Sequence, residues 1–169
     1  MITEPMGIGD KVKVGINKGV HSGVGLIGHW KTEVFDKHGN LKESDEGYNQ
    51  VTLVGDAHVA DQLSDQGEAA MGWMSVGTTS GGKTEASTQL EAENTKNALT
   101  SGPTQGGGAA DDEVEYVGTF TGIAATLVEW AISNNVAANT GTYLCYAEGS
   151  HVMTAPDTLV ITWTLTVSH

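Results

Sequence analysis

The chain has 169 residues, 38% hydrophobic and 17% charged, with 21 acidic side chains against eight basic ones and a formal net charge of −13. Such a length suits one domain with a sizeable core. All eight cations are lysines (Lys11, Lys13, Lys18, Lys31, Lys37, Lys42, Lys83 and Lys96), so the clustered guanidinium forks of a nucleic-acid binder are missing, and the lysine-free stretch after Lys96 repels anionic membranes as well.

The 23 glycines favour a turn-rich, all-β architecture over a helical bundle. Cys145, alone in the chain and set in the apolar run Tyr143-Leu144-Cys145-Tyr146, reads as a small buried core residue, and one cysteine cannot build a disulfide framework. Residues 1–10 lack the layout of a secretory signal. No apolar run approaches the roughly 20 residues that a transmembrane helix needs, and Asn-x-Ser/Thr sequons are missing. The chain therefore reads as one made in a cytoplasm without secretion.

Lys11 to Ile16 alternates as a short strand. Glycines 15, 19, 23, 25 and 28 then punctuate a looped connection, so residues 1–23 read as an N-terminal extension and 24–169 as the folded domain. The alternation Val24, Leu26, Gly28, Trp30 leads into a strand ending at Asp36, and Asp36 to Asn40 is a turn. One helix is predicted, opened by Asn49 and centred on Val51 to Leu63, where Leu53, Ala57, Ala60 and Leu63 fall on one face. Gly55 inside it costs about 1 kcal/mol of propensity.

Met71 to Val76 reads as a strand, and Thr78 to Thr84 as an exposed loop. Ser101 to Asp112, rich in glycine, is predicted to be a flexible loop. Strand patterns follow at Val114 to Phe120, at Ala124 to Ile132 with Val128, Trp130 and Ile132 on one face, and at Thr142 to Tyr146. The last is the strongest: Leu159, Ile161, Trp163, Leu165 and Val167 alternate with Val160 and threonines 162, 164 and 166. No internal repeat is visible. Short strands between Gly/Asn/Ser turns, with one early helix, predict an antiparallel β-sandwich of jelly-roll type.

Motifs that would carry chemistry do not assemble. The six histidines (His21, His29, His38, His58, His151 and His169) have no second ligand at a zinc spacing, and Asp111 to Glu115 lacks the ligand order of a calcium loop. There is no Gly-x-Ser-x-Gly elbow, Gly149-Ser150-His151 reads as a turn, and the glycine-rich stretches lack a phosphate-loop ending. Glu129, between Val128 and Trp130, reads as a buried acid that accepts backbone N–H bonds, the other use of such a carboxylate being as a catalytic acid. Trp30, Trp73, Trp130 and Trp163 sit on apolar faces and read as core rather than as a sugar-binding platform. The reading is of a non-enzyme with no metal and no cofactor.

Taken in order, Gly28 to Gly39, Asn49 to Thr52, Leu63, Met71 to Thr78, Leu90 to Glu93, Tyr116 to Phe120, Thr126 to Ala131, Gly141 to Cys145 and Asp157 to Trp163 give a series of landmarks. The series resembles small virion structural proteins of tailed bacteriophages, those that decorate or cement the head or serve as neck and tail accessories. Trp130-Ala131 departs from the small residue followed by glycine usual in that group. The resemblance implies an assembly role without catalytic residues. It points to a homo-oligomer, commonly a trimer, on the outside of a capsid, with the major capsid protein or other virion proteins as partners. On that view residues 1–23 act as an arm whose Lys11, Lys13 and Lys18 contact an acidic shell. A neck or tail adaptor and a carbohydrate-binding jelly roll are the alternatives.

Overall fold

The computed structural model describes residues 25–106 and 112–168, so the extension expected over residues 1–23 lies outside the described residues. The described chain runs β1 (Gly25–Phe35), β2 (Leu41–Tyr48), β3 (Gln50–Val51), α1 (Leu53–Ser64), β4 (Trp73–Gly77) and β5 (Glu93–Ala98). It continues with β6 (Ser101–Gln105), β7 (Glu113–Thr121), β8 (Thr126–Ser133), β9 (Tyr143–Val152) and β10 (Thr158–Ser168). These strands form two antiparallel five-stranded sheets, ordered β2-β1-β10-β7-β6 and β3-β9-β8-β4-β5. The fold is an all-β sandwich.

Its pairs are nested: β1 with β10, β3 with β9, β4 with β8 and β6 with β7. Nested pairing is a jelly-roll trait. Here, however, the two middle pairs share one sheet instead of alternating between the two.

Strand β10 shows how pattern becomes position. Leu159, Ile161, Trp163 and Leu165 are all buried, while the intervening Val160 and threonines are only half-buried on the opposite face. Trp30 and Val34 of β1 and Phe120 of β7 join them on the inner face of the first sheet. Met74 and Val76 of β4, with Leu127, Trp130 and Ile132 of β8, answer from the second. Trp30 and Trp130 meet edge to face across the sandwich, their centroids 4.9 Å apart. Gly118 lies so close to Met74 that a Cβ there would press on its sulfur.

The helix is present but turned. Thr52 caps it, its Oγ1 accepting the Gly55 N–H at 2.9 Å, and Asp65 ends it in the left-handed region at φ 53°. The face predicted for the core is the outer one: Leu53, Ala57, Ala60 and Leu63 are exposed, with Leu63 84% accessible. Gly55 and His58 face inward instead, because a Cβ at Gly55 would collide with the Leu144 carbonyl of β9 and only glycine allows that approach.

Other expectations need correction. Within the predicted loop Ser101 to Asp112, residues 101–105 form β6, a sheet edge on which Pro103 costs no ladder bond. A bulge between Leu127 and Glu129 moves the inner face of β8 to Leu127, Trp130 and Ile132, leaving Val128 half-buried outside the core cluster. Gly149-Ser150-His151 lies within β9 rather than in a turn. Trp30, Trp130 and Trp163 belong to the core, whereas Trp73 is half-buried on the outer face of its sheet. Asn49 precedes β3, and the helix begins only at Leu53.

Candidate functional site

Among the described residues three groups of polar side chains come together with the outline of a site. The first lies on the outer face of the second sheet, under the connection of residues 78–92. Leu90 from that connection packs with Ala131, Tyr143 and Tyr146 into a second apolar cluster. Glu129 is fully buried there. Its Oε1 accepts the Ala92 N–H at 3.0 Å and its Oε2 the Glu91 N–H at 3.1 Å, with Lys83 Nζ 3.9 Å away. A buried carboxylate holding two backbone amides and a cation is fixing a loop, the structural role anticipated for Glu129.

Beside it, Lys96 Nζ stands 3.4 Å from Glu93 and 3.0 Å from the Tyr143 hydroxyl, which donates to Glu93 at 2.7 Å. Burial lowers the Lys96 pKa against the pull of Glu93. Burial also raises that of Tyr143, and the hydrogen bond to Glu93 adds to the shift. The tyrosine therefore stays a neutral donor, and the group acts as a closed network.

The second group has the outline of a nucleophile, base and acid. Thr32 Oγ1 lies 2.7 Å from His151 Nε2, and His151 Nδ1 is 3.2 Å from Glu43 Oε1 without the alignment of a hydrogen bond. Access decides its use. Thr32 and His151 are both fully buried, the hydroxyl lies 3.1 Å from the Asp45 carbonyl, and the imidazole stacks on Trp130 with centroids 5.7 Å apart. A nucleophile needs room for a substrate carbonyl. The hydroxyl is enclosed in the core, so the arrangement ties β1 and β2 to β9.

In the third, Glu68 Oε1 takes hydrogen bonds from Asn134 Nδ2 at 3.0 Å and from the Thr142 hydroxyl, while Oε2 lies 2.9 Å from His58 Nδ1. The Thr142 bond leads in holding the Glu68 pKa below its ordinary value. The cluster staples the end of α1 to the β8–β9 connection. Among the described residues no three His, Cys, Asp or Glu side chains are placed to hold a metal.

Glu113 and Glu115 of the acidic run line a hollow of about 260 Å³ with Thr104, Gln105 and Thr164, while Asp111 lies outside the described residues. Cys145 is a free, buried thiol, and burial raises its pKa.

A polar hollow of about 310 Å³ lies between Tyr48, Asn49 and Gln50 and Tyr146 to Glu148, and the other open surface is apolar. Two adjoining hollows, of about 310 and 500 Å³, run between α1 and the start of β1 against the end of β10. Leu26, Val59, Leu63 and Val167 belong to both. Gly25 and Asp56 lie in the larger, and the smaller reaches Leu165 and Tyr116, whose phenol burial raises to about 12. Sequence reasoning missed this groove because it assigned the Leu63 face of α1 to the core. The predicted contact residues Lys11, Lys13 and Lys18 lie outside the described residues. Of the other lysines, Lys31, Lys42, Lys83 and Lys96 each lie within 4 Å of a carboxylate of the sandwich.

No family model matches this chain, and no curated protein or solved structure matches it either.

Proposed function

We propose that this chain is a structural protein of a tailed-phage particle, a decoration or cement protein that binds the assembled head as a homo-oligomer, with residues 1–23 supplying much of the grip. The observation that carries this reading is the segregation of charge. The sandwich is acidic, and four of its five lysines, Lys31, Lys42, Lys83 and Lys96, are engaged with its own carboxylates, Lys37 standing exposed in the Asp36–Asn40 turn, whereas Lys11, Lys13 and Lys18 belong to the segment that joins the sheet at Gly25. An acidic body with a basic arm suits docking on an acidic protein surface, and repeated copies raise the hold through effective concentration. The ordered sequence landmarks support the particle as that surface. Engagement of the buried polar groups with one another supports binding over catalysis.

The test is co-sedimentation of the full chain and of a chain lacking residues 1–23 with purified heads and, separately, tails. The full chain is expected on heads and the shortened one in the supernatant. Equal binding by both removes the arm from the account, binding to tails alone favours the adaptor, and binding of neither form to any particle ends the virion reading. Sedimentation equilibrium on the free protein checks for the trimer.

A further inference from the structure

We infer that the groove between α1 and the β1–β10 end is the seat of this chain's own N-terminal segment, with Val12, Val14 and Ile16 lodged against Leu26, Val59, Leu63 and Val167.

The groove is apolar, and the helix beside it turns Leu53, Ala57, Ala60 and Leu63 outward, a stripe that an unoccupied helix face in water does not favour. Its position selects the occupant. Gly25 and Leu26 are part of its lining, so the residues before them join the described chain at the groove itself. Eight residues lie between Ile16 and Gly25, a reach of up to roughly 30 Å, and Gly19 and Gly23 allow the segment to turn back across the opening.

The segment also matches in pattern and charge. Lys11-Val12-Lys13-Val14-Gly15-Ile16 has period two, so one side is wholly apolar and the other carries the lysines. Helix α1 holds Asp56 and Asp61 and no cation, and Asp56 lines the groove. With the valines inward, Lys11 and Lys13 project past these acids. A tethered segment binds its own body at high effective concentration, which favours it over a second copy. This docking does not depend on the virion reading, and a segment seated here would have to leave the groove to grip a shell.

Cysteine trapping in the full chain tests it. Leu63→Cys at the exposed rim is combined, one at a time, with a cysteine at each position from 11 to 16, and the protein is oxidised at low concentration. The buried Cys145 is left in place. Intrachain disulfide is quantified by mass spectrometry, against a control series in which Val136→Cys, exposed on the β8–β9 connection, replaces the rim cysteine. Yields are expected to alternate, several-fold higher for Val12→Cys, Val14→Cys and Ile16→Cys than for their neighbours, and the Val136→Cys series to stay low throughout. A flat profile, or one equal to the control, overturns the inference. Alternating disulfides that join two chains also overturn it, by seating a second copy in the groove.

Discussion

The Lys42 ammonium and the Asp157 carboxylate meet at 2.7 Å, fastening the edge strand β2 to the turn that precedes β10. Asp157 also accepts from the Thr154 amide and hydroxyl, and these bonds, with that of Lys42 the largest, lower its pKa from 3.8 to about 2. A carboxylate with a depressed folded pKa contributes stability that is complete above its unfolded pKa and is lost as pH falls through the folded one. Asp157→Asn should therefore be less stable than the parent at pH 6, and the gap should close between about pH 4 and pH 2. Urea melts across that range measure it, and a gap independent of pH would refute the assignment.

Glu129→Ala should destabilise the fold by about 3 kcal/mol, since it leaves the Glu91 and Ala92 amides and the Lys83 ammonium without their buried partner. The loss is expected to centre on the 78–92 connection. Hydrogen exchange should show the amides of Glu91 and Ala92 opening first, and unchanged protection there would contradict the role given to this carboxylate.

For Gly55→Ala two effects compete. Alanine gains about 1 kcal/mol of helix propensity, but its Cβ meets the Leu144 carbonyl, a backbone group that cannot step aside. Overpacking of this kind costs about 1–3 kcal/mol. A net loss is expected, read as a lower melting temperature, while a stabilised variant would mean that α1 stands further from β9.

Thr32→Val keeps the shape of the side chain and removes the hydroxyl between His151 and the Asp45 carbonyl. A loss of about 1–3 kcal/mol is expected from groups left without a partner in the core. Serine-hydrolase probes should label neither parent nor variant, and labelling lost on this substitution would turn the buried trio into an active site.

Much of the sandwich is legible in the sequence wherever one face of a strand is buried. Leu159 to Leu165 announce β10 because burial and period two coincide, and Asp36 to Asn40 announce a turn through a carboxylate that holds the His38 and Asn40 amides. Strand β2 is not legible, because Leu41 to Tyr48 have no apolar face and the strand is held by its ladder with β1. The edge strands β5 and β6 escape for the same reason, and β3 is too short to show a period. The face of α1 was misread because His58 turns inward to meet Glu68, a partner supplied from beyond the helix. Glu129 was legible as a buried acid, although its amide donors Glu91 and Ala92 come from a distant connection that no local pattern reveals.

The nested strand order has a consequence for synthesis. β1 has β10 as its inner neighbour in the sheet, and β7 needs the same strand on its other side, so neither can take its final place until β10 has left the ribosome. The pairs β1–β2 and β6–β7, and the whole second sheet, which lacks β10, can form while the chain is still growing. Closure of the first sheet therefore waits for β10, and a nascent chain halted before Thr158 exposes two halves of a sheet with its central strand missing.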